Sequence, residues 1–286
     1  MTTTQAPASE VLDLLAGRDV VVLTGAGVST DSGIPDYRGP GAQRTSGGSR
    51  WARPPGVMTF QEFVSGPVAQ QRYWARSHLG WARMGVAAPN AGHHALAEID
   101  PALLITQNVD GLHEAAGSRR LVAIHGRVAD VVCLACRRTS KRASLEARLD
   151  DLNADWMVRH GQAAMRPDGD VDLDATADFV VADCEDCGGV LKPDVVFFGE
   201  NVPAERVARC YDAVDALGTD GAVLVAGSSL TVMSGLRFVK RAAKAGTPVV
   251  IVNRGVTRGD DLAAYKLELG TSDFLVELAQ RRRTKM

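Results

Sequence analysis

Short, uninterrupted apolar runs recur along the chain at Val20–Thr24, Leu103–Thr106, Asp194–Phe197, Gly221–Val225, Pro248–Val252 and Lys266–Leu269. Strands that are apolar at every position are buried on both faces, and a parallel sheet covered by crossover helices is the arrangement that buries both. Helical patterning fills the intervals at Glu10–Ala16, Pro89–Ile99, Pro203–Leu217, Gly235–Ala245 and Asp273–Arg283. The expected fold is therefore α/β, a Rossmann-like doubly wound parallel sheet. Two stretches break the rhythm: 37–89, rich in Gly, Pro, Ser, Arg and Trp, and 127–189, which holds two cysteine pairs. Each reads as an insertion into the sheet domain. The sheet domain is then expected over 10–36, 90–126 and 190–286, after a disordered lead at 1–9. With 286 residues, 45% hydrophobic and 23% charged, the chain can bury the cores this organisation needs.

Charge and hydropathy exclude other classes. The 32 basic and 34 acidic residues give a formal net charge of −2, so general nucleic-acid binding is not expected. The apolar runs fall far short of the roughly 20 residues of a membrane-spanning helix. The opening MTTTQAPASE has neither a secretory nor an organelle-targeting pattern, and a cytoplasmic protein is expected. Oligomeric state is not legible in the sequence.

Four segments carry chemistry. The first runs from strand to turn, Gly25-Ala26-Gly27-Val28-Ser29, where glycines let backbone N–H groups approach a pyrophosphate beside a helix start. The third glycine of the dinucleotide fingerprint is absent, and so is the acidic residue about 20 positions on. A plain tight turn explains a bare Gly-Ala-Gly equally well, but the charged and aromatic cluster Asp36-Tyr37-Arg38 just beyond favours a ligand site. In the second segment Gln107, Asn108 and Asp110 follow a strand at the sheet edge where α/β folds bind ligands; an Asx-capped turn is the competing reading. The third is His125, between Ile124 and Gly126, either a structural histidine or an acid–base group. The fourth is Cys133-x-x-Cys136 with Cys184-x-x-Cys187. Two such knuckles make a closed four-thiolate zinc site with no position left for a catalytic water, so one structural Zn2+ is expected. The gap between the pairs exceeds the roughly 15–20 residues usual in zinc ribbons. Cys210 stands alone and reads as a small core or surface residue.

Taken together, GAGVSTDSGIPDYR, TQNVD, the histidine of IHG, the cysteine pairs, FGE, GSSL and VNRG occur in the order seen in sirtuins, and QRYWAR, LKPDVVFFGE and TRGDDLA make the chain most similar to class II sirtuins. The resemblance spans roughly residues 10–275. It implies an NAD-dependent protein lysine deacylase, in which acyl-lysine and NAD give lysine, nicotinamide and O-acyl-ADP-ribose, with NAD held between a Rossmann domain and a smaller zinc-binding and helical module that the two insertions together form. It implies that Gly25, Ala26, Gly27, Ser29 and Arg38 hold the NAD phosphates and nearby ribose. Asp36 and Tyr37 would lie by the nicotinamide, with Tyr37 where most sirtuins have Phe. Gln107, Asn108 and Asp110 would position the nicotinamide ribose and carboxamide. Gly227, Ser228, Ser229, Asn253, Arg254, Gly255 and Thr271 would line the adenosine side. Asn108 and His125 are the implied catalytic residues, His125 as the general base acting on a ribose hydroxyl. Acylated lysine side chains of proteins are the implied partners, and Val195–Glu200 with Leu230–Val232 would pair with the substrate backbone. A mono-ADP-ribosyltransferase using the same NAD site is the alternative. Tyr73 and Arg76 have the spacing of the acidic-acyl pair of desuccinylating sirtuins but are offset when aligned through Trp74, so no anionic acyl pocket is assigned.

Overall fold

The computed structural model describes residues 7–35, 57–84, 87–160 and 176–285. In chain order the strands are β1 (Val20–Thr24), β2 (Leu103–Thr106), β3 (Leu121–Ala123), β4 (Gly126–Cys133), β5 (Thr139–Lys141), β6 (Leu191–Val195), β7 (Ala222–Ala226), β8 (Val249–Val252) and β9 (Tyr265–Leu267). The helices are α1 (Ala8–Ala16), α2 (Phe60–Phe63), α3 (Pro67–Met84), α4 (Ala91–Ile99), α5 (Leu112–Ala115), α6 (Arg142–Leu152), α7 (Ala154–His160), α8 (Ala204–Ala216), α9 (Met233–Ala245) and α10 (Thr271–Lys285). The chain divides into two units, one of Met1–Trp51, Ala88–Ile124 and Val202–Met286, the other of Ala52–Ala87 and His125–Asn201.

The first unit holds a six-stranded sheet in the order β3-β2-β1-β7-β8-β9, every neighbouring pair parallel. β1, β2, β7 and β8 are buried at every position, as their continuous apolar sequence requires. Side chains alternate between faces. Val20, Val22, Leu104, Leu224 and Val250 join the core under α1, α4 and α10, while Val21, Leu23, Ile105, Val223 and Ile251 join the one under α8 and α9. The strand order reverses between β1 and β7, and the crevice at the C-terminal ends of such a pair is where doubly wound sheets bind ligands.

The second unit has a three-stranded antiparallel sheet, β5-β4-β6, covered by Trp74, Leu145, Leu149, Trp156 and Phe179 from α3, α6, α7 and the segment before the second cysteine pair. Here the structure corrects the sequence reading. The strand expected in the parallel sheet at Asp194–Phe197 is β6, three residues earlier, and it pairs antiparallel with β4. An apolar run buried in a small sheet looks the same in sequence as one buried in a large sheet, and only the pairing distinguishes them. β3, β4 and β5 are further strands that periodicity did not mark. β5 is three exposed residues, and β4 alternates only weakly and carries a register shift between Gly126 and Val131. Among the described residues no helix is long and apolar enough to cross a membrane.

Candidate functional site

β1 ends at Thr24, and the chain then turns through Gly25, Ala26 and Gly27 under the β7 turn. Gly25 N–H donates to Ala226 O (3.2 Å) and Gly27 N–H to Gly227 O (2.9 Å). A Cβ on Gly25 would lie 2.8 Å from Ser228 Cβ, and one on Gly27 2.8 Å from Gly227 Cα. Gly227 has φ +63°, and its Cβ would meet Val28 N at 2.6 Å. The glycines are thus demanded by two backbones in contact. The helix expected after this turn is instead a pair of single 3-10 turns, Ala26–Val28 and Thr30–Ser32. A pyrophosphate here would be held by local N–H groups, without the dipole of a long helix.

Ser29, buried at the junction of the two turns, is the hub of a hydrogen-bond network. Its Oγ donates to Asp110 Oδ2 (2.8 Å) and accepts from Asn108 Nδ2 (3.0 Å). Asn108 gives its other amide hydrogen to Gly25 O (3.1 Å) and its backbone N–H to Thr106 Oγ1 (3.1 Å). Both N–H groups of the Asn108 side chain are spent on the loop, so its Oδ1 is the atom left to accept from a ligand. Asp110 uses Oδ1 to accept the Leu112 N–H (3.0 Å), so the ligand and Asx-turn readings of this residue hold together. Gln107 Nε2 donates to Ser228 Oγ (2.6 Å), tying β2 to β7. Thr271, at the start of α10, donates to Gly27 O (3.3 Å).

Two histidines that the sequence marked only as helical or motif-free lie beneath this network. His93 is the third residue of α4, where its Nδ1 accepts the Asn90 N–H (3.3 Å) in a capping box. That bond leaves the proton of the neutral ring on Nε2, 3.5 Å from Ser29 Oγ. His113 Nε2 lies 2.9 Å from Thr24 Oγ1, which donates to Thr106 Oγ1 (2.9 Å), and the two imidazoles touch with centroids 4.7 Å apart and planes tilted by 56°. Burial holds both rings below the ordinary histidine pKa, with the Asp110 charge partly opposing this at His93; His113, beside His93, is pushed down to about 3. The signal that could have found His93 is Pro89-Asn90, a strong helix start whose third helical residue faces back toward the cap; nothing of this kind marks His113.

The remaining expected NAD residues are placed less tightly. Ser229 Oγ is 2.9 Å from Thr231 Oγ1, and the adjacent buried Leu230 takes φ +52°, a left-handed conformation costing about 1–2 kcal/mol. Asn253 donates to the carbonyls of Arg254 (2.9 Å) and Gly255 (3.2 Å), and Gly255 N–H donates to Glu268 Oε2 (2.6 Å). These three residues organise their own loop after β8 and do not join the Ser29 network. Asp36, Tyr37 and Arg38 lie outside the described residues.

In the second unit His125 is half-buried at the entry to β4; its carbonyl accepts the Val196 N–H (2.8 Å), and Gly126 pairs with Val195. The four cysteines converge there too. Their Sγ atoms lie within 4.8 Å of one another, with Cys133–Cys187 at 3.6 Å and Cys136–Cys184 at 3.9 Å. A tetrahedron of Zn–S bonds of about 2.3 Å has edges of roughly 3.8 Å, so the thiols fit zinc. Each knuckle is closed by its own turn, Arg137 N–H to Cys133 O (3.0 Å) and Gly188 N–H to Cys184 O (2.8 Å), with Gly188 at φ +68°. A Cβ at Gly189 would come within 2.9 Å of Cys133 Sγ, which explains the glycine pair after the last cysteine. Cys210 is buried in the sheet core, and burial raises its pKa to about 12, consistent with a packing role.

The model of the Sir2 family matches residues 25–234. The chain is 49% identical to NAD-dependent protein deacetylase 1 of Mycobacterium avium (strain 104), over 98% of this chain and 97% of that one. It is 51% identical to NAD-dependent protein deacetylase 1 of Streptomyces coelicolor, over 98% and 90%. Among solved structures it resembles a Sir2 protein bound to a propionylated peptide (28% identity, TM-score 0.70, 96% and 98% coverage). It also resembles a Sir2 complex with a p53 peptide and NAD+ (29%, TM-score 0.68, 98% of each chain). The parallel sheet with its paired glycine turns, the cluster of four cysteines and these matches have one reading: the chain belongs to the Sir2 family.

Proposed function

We propose that the protein is an NAD-dependent protein lysine deacylase that turns acyl-lysine and NAD into lysine, nicotinamide and O-acyl-ADP-ribose. The observation that carries this reading is the convergence of Asn108 and Asp110 on the Ser29 hydroxyl at the sheet's switch point. NAD supplies a ribosyl C–N bond that breaks to release nicotinamide and a ribose carbon that accepts the acyl oxygen. The chain's own residues bind and orient. The glycine turns let the backbone approach the phosphates, Asn108 presents Oδ1 as an acceptor, Asp110 is fixed by two donors, and Gln107 is held by Ser228. Asn108 thus acts on the reacting end, and His125 takes the proton from a ribose hydroxyl. Ser229, Asn253, Arg254, Gly255 and Thr271 are assigned to the adenosine side, and Asp36, Tyr37 and Arg38 to the nicotinamide and phosphate side. Holding a weak amide nucleophile in line is a proximity task, for which a preset network suits better than a strong base. Cys133, Cys136, Cys184 and Cys187 hold a structural zinc, and cysteines kept out of disulfides suit the reducing cytoplasm.

Incubation with NAD and lysine peptides bearing acetyl, propionyl and longer or branched acyl groups, read by mass spectrometry, tests the reading. Nicotinamide release should depend on the acylated peptide and yield O-acyl-ADP-ribose. Covalent labelling of unmodified protein as the dominant product would overturn it in favour of ADP-ribosyl transfer.

A further inference from the structure

Lys192 is a buried cation that the chemistry above does not use. It sits on β6, where strand alternation places it on the face opposite Leu191, and its side chain is 3% exposed. A lysine is almost never this buried without partners for its charge. All three ammonium hydrogens have acceptors: Pro193 O (3.1 Å), Val195 O (2.5 Å) and Glu200 Oε2 (3.1 Å), and the head lies 4.5 Å from the centroid of the Phe197 ring. Burial lowers the Lys192 pKa, and the Glu200 carboxylate acts against this. Glu200 Oε2 also accepts the Phe197 N–H (2.9 Å), and Glu200 N–H returns to Phe197 O (3.0 Å). One ammonium therefore fastens both ends of the segment from Pro193 to Glu200, most of which lies beyond the last ladder bond of β6.

That segment is the backbone seat of His125. Val196 N–H donates to His125 O, and Val195 pairs with Gly126, so Val195 and Val196 are the ladder partners of the residues at and after the histidine. The same segment also receives Phe60 N–H at Phe198 O (2.9 Å), a second anchor. We propose that Lys192, through its grip on Val195 O and Glu200, is a positioning residue for His125 in deacylation. This rests on the deacylase reading. A point charge with three rotatable donors suits the task, since the three acceptors lie in different directions and no planar fork would serve them together.

A displaced base should leave nicotinamide release intact and slow the later step in which a ribose hydroxyl must lose its proton. The test compares wild type, Lys192→Met, Lys192→Arg and Glu200→Gln, with zinc content and thermal midpoint checked for each. Acyl-peptide-dependent exchange of labelled nicotinamide into NAD reads the first step, and O-acyl-ADP-ribose formation reads the whole. The His125 ring 1H–13C resonances, assigned by their loss in His125→Ala, report its seating in protein without nucleotide. Lys192→Met should keep most of the exchange, lose roughly 10²-fold in deacylation, as misplacement by an ångström can cost, and shift the His125 resonances. Lys192→Arg should recover part of both. Glu200→Gln, which keeps an acceptor for the Phe197 N–H, should show the same split in milder form and covers the case in which Lys192→Met does not fold. Exchange and deacylation falling in parallel, or unmoved His125 resonances in folded variants, would overturn the proposal. If wild type shows no acyl-dependent nicotinamide release, the deacylase reading falls, and the resonances still decide whether Lys192 seats His125.

Discussion

Ser29 has one hydroxyl proton, and the network allows it one destination. Asn108 donates to Ser29, and the capping box that ties up His93 Nδ1 turns the Nε2 proton toward the same oxygen, so the serine proton goes to Asp110. The Asn90–His93 bond holds only while that ring is neutral, and burial keeps both imidazoles so. Because their folded pKa values lie below the ordinary 6.5, an unfolded chain takes up protons that the folded one resists. Stability should be full above about pH 6.5 and fall as pH drops toward 3, the value to which His113 is depressed. Urea midpoints measured across this window should fall, and His113→Gln should flatten the decline; an equally steep decline in the variant would show that carboxylates elsewhere dominate. His125→Ala should retain NAD binding and lose roughly 10²–10⁴-fold in deacylation, the usual worth of a general base. Calorimetric NAD titration beside product formation checks both halves, and activity surviving within a few-fold would place the base elsewhere.

At the scale of elements, two turns and two knuckles carry the design. The β1 and β7 turns meet so closely that Gly227→Ala adds a Cβ 2.6 Å from Val28 N at a positive φ. Overpacking of about 1–3 kcal/mol is expected, with NAD affinity falling alongside the thermal midpoint. An unchanged midpoint would mean that the turns separate easily. The knuckles depend on metal in a different way. Four thiols within 4.8 Å of one another have no reason to stay together without an ion to bind them. Metal analysis should find about one zinc per chain, and Cys184→Ser should lose it together with the folding of the second unit. Active protein without zinc would refute the assignment.

Over the whole molecule, the two units have separate cores: one on both faces of the parallel sheet, the other around Trp74, Trp156 and Phe179. Chelation should therefore act locally. Hydrogen exchange should accelerate across β4, β5 and β6 while β1 and β7, buried at every position, stay protected. Uniform acceleration would show that the cores unfold as one. The same division separates what the sequence determined from what the tertiary structure decided. Local chemistry fixed β1, β2, β7 and β8, whose short apolar runs between turn residues suit a strand buried on both faces. It fixed α1, α4, α8, α9 and α10, and the cysteine pairs, whose spacing within each knuckle is itself the metal geometry. The sheet to which β6 belongs, the convergence of His93 and His113 under Ser29, and the grip of Lys192 on the segment beside His125 were decided by pairings between residues far apart in the chain. Burial can be read from a residue's own neighbours in sequence, but which distant atom satisfies a buried donor depends on strand order and register, and those exist only once the chain has folded.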